Sequence, residues 1–120
     1  MSNSEIKDLI GQYFNANFDA NAEKIAELFH DQARIYGFGR GGVFVNMDKA
    51  SFVKKIESNR PNTPDEKIGE ILSIDLLGEH AAVARVKIQV GDMLFTDSLN
   101  FLHLDGKWSI IAKVFSGVEA

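Results

Sequence analysis

Apolar residues follow two rhythms along this chain, and the switch between them divides it into a helical and a sheet-forming part. Ile6, Leu9, Ile10, Tyr13 and Phe14 recur at helical intervals behind Ser2 and Glu5, which have capping-box spacing, so a first amphipathic helix is expected there. Asp19 or Asn21 can cap a second, whose stripe runs Ala22, Ile25, Ala26, Leu28 and Phe29 and ends at His30-Asp31. Ala33 to Phe38 and Val43 to Asn46 read as short strands around a glycine-rich connection, and Asp48 can cap a third helix bearing Phe52, Val53 and Ile56. The polar stretch from Ser58 to Glu66, which holds Pro61 and Pro64, reads as a loop. From Lys67 onward the period is two, giving four long strands: Lys67–Leu77, His80–Val90, Met93–Leu104 and Lys107–Val118.

Two turns fix a register. Gly91-Asp92 has the glycine-first form of a type II′ hairpin and Asp105-Gly106 the form of type I′. Counting back from the first sets Val86 against Asp97 and Ala84 against Leu99; counting back from the second sets His103 against Trp108, Phe101 against Ile110, Leu99 against Ala112 and Asp97 against Val114. Both hairpins place Asp97 on an otherwise apolar face, with His103 near one end, and a carboxylate there must be paired, protonated or facing a cavity. At Gly78-Glu79 a bulged turn is favoured, because it turns Leu72, Ile74 and Leu76 inward. The same count assigns Ser98, Asn100, Leu102, Ser109, Ile111, Lys113 and Phe115 to the outer face. Long strands twist and coil, so the expected fold is α+β: a cone of curved antiparallel sheet wrapped around three helices, with a hollow.

With 120 residues, one domain spanning 1–120 is expected. A balance of 13 Lys+Arg against 17 Asp+Glu, net −4, disfavours both nucleic acid and an anionic membrane as partners. The chain has no cysteine, hence no thiolate metal site or thiol nucleophile. No secretion-signal pattern opens it and no apolar run approaches the ~20 residues that span a bilayer, so a cytoplasmic location is expected.

Phe29-His30-Asp31-Gln32-Ala33 after two helices, the glycine-rich hairpin, Phe95-Thr96-Asp97-Ser98-Leu99 and Asp105-Gly106-Lys107-Trp108-Ser109-Ile110-Ile111-Ala112-Lys113 together resemble the nuclear transport factor 2-like (NTF2-like, SnoaL-like) superfamily. Within it, the chain is similar to small bacterial proteins under the label "Putative lumazine-binding". The resemblance covers nearly the whole chain. It implies an apolar pocket with a few polar groups from the inner sheet face and first helix, on a scaffold shared by isomerases, dehydratases, cyclases, carriers and assembly domains. Asp97 and Tyr13 match that description as catalytic candidates, with Asp97 as acid or base and Tyr13 as donor to a carbonyl or enolate oxygen. Tyr36 and His103 are looser candidates, and Phe14, Phe101 and Trp108 would supply flat walls for an aromatic or polycyclic ligand.

Simpler readings stand beside these: Asp97 as a structural carboxylate, Tyr13 as core, His103 as a solvent-edge side chain and His30 as a helix-terminal cation. The three histidines lack metal-binding spacing, and no metal or cofactor is expected. Gly37-Phe38-Gly39-Arg40-Gly41-Gly42 has G-x-G-x-x-G spacing, but Val43-Phe44-Val45 follows where a phosphate-binding motif needs a helix; a hairpin or pocket rim fits better, with Arg40 placed to meet an anion. Lys54-Lys55 reads as a solvated helix face. The functional readings are a cofactor-independent lyase, isomerase or cyclase using Asp97, a carrier for a flat hydrophobic or heterocyclic ligand, or a dimeric interaction domain. The apolar content of the outer face and the resemblance together point to a homodimer.

Overall fold

A computed structural model describes residues 3–120. Helix α1 spans Asn3–Phe18, so the Ser2–Glu5 capping box lies outside the described residues. Asn21, not Asp19, caps α2 (Ala22–Leu28) by accepting from the Lys24 amide, and Asp48 caps α3 (Lys49–Glu57) through the Ser51 amide. The helical stripe of α2 is cut short at Phe29, which opens strand β1 (Phe29–Phe38) because it pairs with Ile110 across the sheet. A one-turn 3-10 segment, Arg40–Gly42, then leads into β2 (Phe44–Asp48). The proline-bearing loop contains a second such turn, Pro64–Glu66, and the strands β3 (Gly69–Leu76), β4 (Ala81–Val90), β5 (Met93–Leu104) and β6 (Lys107–Glu119) complete the chain.

The six strands form one sheet ordered β2-β1-β6-β5-β4-β3. Every junction is antiparallel except β1–β6, which is parallel, so the sheet is mixed. Gly91 (φ 60°), Asp105 (φ 52°) and Gly106 (φ 76°) take the left-handed conformations that their tight turns require. The β4–β5 register is the one read from the sequence, with Val86 opposite Asp97 and Ala84 opposite Leu99.

The β5–β6 register holds at His103–Trp108 and Phe101–Ile110, then slips by one residue. Asn100 faces Ala112, Leu99 faces Lys113 and Asp97 faces Phe115, which corrects the expected pairings with Ala112 and Val114. One extra residue in the run Ile110-Ile111-Ala112 is absorbed as a β-bulge, and beyond it every side chain changes face. Lys113 and Phe115 therefore point inward and are buried, while Val114 is exposed. A second bulge, between Ile71 and Ser73, places Ile71 opposite Val86; Ile71 and Ile74 pack on the core, whereas Leu72 was expected there.

One hydrophobic cluster lies on the concave side of the sheet. Ile6, Ile10 and Tyr13 of α1 and Ile25 of α2 are completely buried against Val86, Leu99, Phe101 and Ile110. Full burial of each isoleucine stabilises the fold by about 1.5–3 kcal/mol, so these positions anchor the helices on the sheet.

Candidate functional site

Three polar side chains meet inside this core. The spacing that buries Ile6 and Ile10 carries Tyr13 inward on α1; alternation along β5 does the same for Asp97 between Phe95 and Leu99, and the bulge does it for Lys113 on β6. The Tyr13 hydroxyl donates to Asp97 Oδ2 at 2.6 Å, a short bond of the kind formed to an ionised acceptor. Lys113 Nζ lies 3.9 Å from the same oxygen, with side-chain exposures of 9% for the lysine and 0% for the aspartate. That nitrogen also sits 4.6, 5.3 and 5.4 Å from the ring centroids of Phe52, Phe115 and Tyr13, within cation–π range of all three. Among the described residues Asp97 Oδ1 has no hydrogen-bond partner.

Burial, followed by the negative charge of Asp97 and its hydrogen bond, pushes the Tyr13 phenol well above its ordinary pKa and keeps it neutral. Burial lowers the proton affinity of Lys113, and the attraction of Asp97 offsets this only in part. The cluster thus holds a neutral phenol and a destabilised ammonium around one carboxyl group.

Beside the cluster is a cavity of about 640 Å³, within the range of small-molecule sites. Tyr13, Asn17 and Lys113 supply polar groups to its wall, and the rest is largely apolar: Val45 and Met47 from β2, Phe52 and Ile56 from α3, and Ile88, Phe95 and Phe115 from the sheet. Asn17 is held by donating to the Tyr13 carbonyl at 2.9 Å. Arg40, Lys55, Arg60 and Asp92 form the exposed rim. Arg40 pairs with Asp92 and reaches Glu119 at 3.4 Å, while Arg60 grips both oxygens of Glu66 at 2.8 Å. The Arg60 contact, with the Thr63 amide, brings the Glu66 carboxyl down to about 2.

Of the residues singled out in the sequence, the structure brings Tyr13 and Asp97 together, with Tyr13 on the cavity wall and Asp97 behind it. Arg40 is at the rim as expected, although already paired. Phe14, Tyr36, Phe101, His103 and Trp108 are not among the residues lining the cavity. Phe14 stacks on Phe18 and covers Gly69, where an added Cβ would come within 2.7 Å of its ring. Tyr36 lies on the outer face beneath the Arg34 guanidinium, and Phe101 is core. His103 lies between His80 and Trp108, toward the β5–β6 turn, whereas the cavity lies toward the β4–β5 turn.

Lys113 was missed because strict alternation assigned it to the outer face. The available signal was Ile110-Ile111-Ala112, three apolar residues in succession, which alternation cannot accommodate without exposing one or bulging. No group of three His, Cys, Asp or Glu side chains among the described residues is placed to hold a metal ion.

Comparison with known proteins bears on this geometry. The family model described as "Putative lumazine-binding" matches residues 1–116. An NTF2-like protein of unknown function from Silicibacter pomeroyi superposes with a TM-score of 0.86 at 23% identity, over 98% of this chain and 100% of that one. Another from Methylobacillus flagellatus gives 0.82 at 29% identity, covering 98% and 95%. Among curated proteins, Aldolase FrzH from a Cladobotryum species is 24% identical over 106 residues, which is 86% of this chain and 81% of the fungal protein. The family match over nearly the whole length and the superposed fold make this chain a member of the "Putative lumazine-binding" family, within the NTF2-like superfamily.

Proposed function

We propose that the cavity binds a small, flat, mostly apolar carbonyl compound and that the chain acts on it as a cofactor-independent lyase, isomerase or cyclase. The observation that carries this reading is the grouping of a phenol, a carboxyl group and an amine at an apolar cavity of ligand size. In this reading the Tyr13 hydroxyl faces the developing oxyanion, and Asp97 orients that hydroxyl and takes up or returns the proton. The name of the fungal relative, an aldolase, supports chemistry next to a carbonyl group, and the family's description supports a heterocyclic ring among the ligands to be tried.

Substituting Asp97→Asn tests it. The variant keeps an oxygen that accepts from Tyr13 but loses the proton acceptor, so it is expected to fold, to bind and to lose turnover of small enones and β-hydroxy ketones; full turnover by the variant would overturn the assignment. A carrier is the second reading, favoured by the absence of Asp97 from the cavity wall; it expects ligand-dependent stabilisation without product. At 100 times its dissociation constant a ligand adds about 2.7 kcal/mol, which a thermal shift detects.

A further inference from the structure

We propose, building on the carbonyl reading above, that Lys113 is a nucleophilic amine that captures an aldehyde or ketone as a Schiff base at the cavity wall. Among the described residues no other lysine is buried. A buried ammonium normally spends its N–H donors on hydrogen bonds, because leaving them unmet in a low-dielectric interior is costly. Lys113 Nζ instead has one carboxylate oxygen at 3.9 Å, beyond direct hydrogen bonding, and three ring faces around it. A lysine made nucleophilic by an apolar surround is one of the standard ways of activating an amine toward a carbonyl group. Burial lowers its proton affinity in the same sense. The Asp97 oxygen that accepts from the Tyr13 hydroxyl lies 3.9 Å from the nitrogen, close enough for one water to carry a proton between them.

The step balances without any further reactant. Lys113 ammonium gives a proton to Asp97 through a bridging water; the freed lone pair bonds to the carbonyl carbon, and the C=O π pair moves to oxygen, which takes a second proton from the nitrogen. The proton held by Asp97 returns to the carbinolamine hydroxyl, which leaves as water as the nitrogen lone pair forms the iminium. Ammonium plus carbonyl yields iminium plus water, and Asp97 ends as the carboxylate it began as. The iminium is an electron sink for removing a proton from, or breaking a carbon–carbon bond to, the adjacent carbon.

The test is reductive trapping. The full chain is incubated at pH 7 with 2-naphthaldehyde and sodium cyanoborohydride, and adducts are located by intact mass and peptide mapping, with the exposed lysines as internal reference. Lys113 is expected to be labelled faster than any other lysine, because burial leaves more of it as the free amine. The adduct is expected to vanish in both Lys113→Met and Lys113→Arg. Labelling of Lys113 no faster than the exposed lysines overturns the proposal, and the wild-type map decides this even where a variant fails to fold. A non-carbonyl probe, 2-naphthalenemethanol, separates the two readings. If it raises the melting temperature of the wild type but Lys113 is not trapped, the pocket stands and Lys113 is only the counter-ion of Asp97. If neither occurs, both readings fall.

Discussion

One carboxylate oxygen, Asp97 Oδ2, serves both Tyr13 and Lys113, so the three side chains form a single energetic unit. Removing the phenolic donor by Tyr13→Phe leaves Asp97 buried with no strong donor on either oxygen, and is expected to cost about 1.5–3 kcal/mol in urea denaturation. Asp97→Asn retains an acceptor for Tyr13 but takes the counter-charge from Lys113, so it is no control for this bond; a Tyr13→Phe variant as stable as wild type would show that the bond contributes nothing. The cluster also has a pH signature. Because the proton affinity of Lys113 is lower folded than unfolded, the folded state binds fewer protons as pH approaches ~10 from below, and its stability rises with pH in that window. Wild type should therefore gain stability relative to Lys113→Met as pH rises toward the ordinary lysine value of ~10. Tyr13 does not interfere below its ordinary value of ~10, since its raised pKa keeps it neutral there. A wild-type-to-variant difference that does not move with pH would mean that Lys113 titrates as an exposed lysine does.

The bulge in β6 decides which of that strand's side chains reach the site, and its neighbours are shaped to receive them. Phe115 lies over Gly37 of β1, where a Cβ would stand 2.3 Å from the Phe115 carbonyl oxygen and 2.5 Å from its ring. Gly37→Ala is thus expected to destabilise by about 1–3 kcal/mol, the usual range for overpacking, and to weaken ligand-induced thermal shifts, because Phe115 is part of the cavity wall. The loop before β3 is held by Asn62, which accepts from the Gly91 amide and donates to the carbonyls of Glu66 and Gln89, each at 2.9 Å. Its own amide donates to the Phe18 carbonyl at 2.7 Å, so one buried side chain and its backbone tie the end of α1 to the β4–β5 turn beside the cavity rim. Asn62→Ala leaves those groups unmatched and should cost about 2–3 kcal/mol; a loss under half that would show that water replaces the side chain.

Across the whole molecule, the cavity and the apolar outer face are on opposite sides of one sheet. The bulge that brings Lys113 and Phe115 inward puts Val114 outside, where it joins Tyr36, Phe38, Phe44 and Val118, all exposed. Phe38 and Phe44 face each other across β1–β2 with ring centroids 6.0 Å apart. We propose that two copies pair through this face, as the apolar outer sheet first suggested, although with different residues. Light scattering should give twice the chain mass for the wild type and the single-chain mass for Val114→Lys; a monomeric wild type would defeat the proposal. No helix among the described residues is long and apolar enough to cross a membrane.

Local chemistry was enough for much of this. The helical spacing of α1 brought Tyr13 to the inner face, and the turns at Gly91-Asp92 and Asp105-Gly106 with strict alternation along β4 and β5 brought Asp97 there, because each depends on neighbours close in sequence. What only the tertiary structure decided lies where the chain departs from local rules. Parallel pairing with β6 ended α2 at Phe29, outweighing a helical stripe that continued. The bulge near Ile111 reversed the face of everything after it, since a period of two turns one extra residue into a change of side for Lys113, Val114 and Phe115. The position of the cavity followed from how α3, β2 and the β4–β5 turn meet, a packing of distant segments that periodicity along any one of them does not encode.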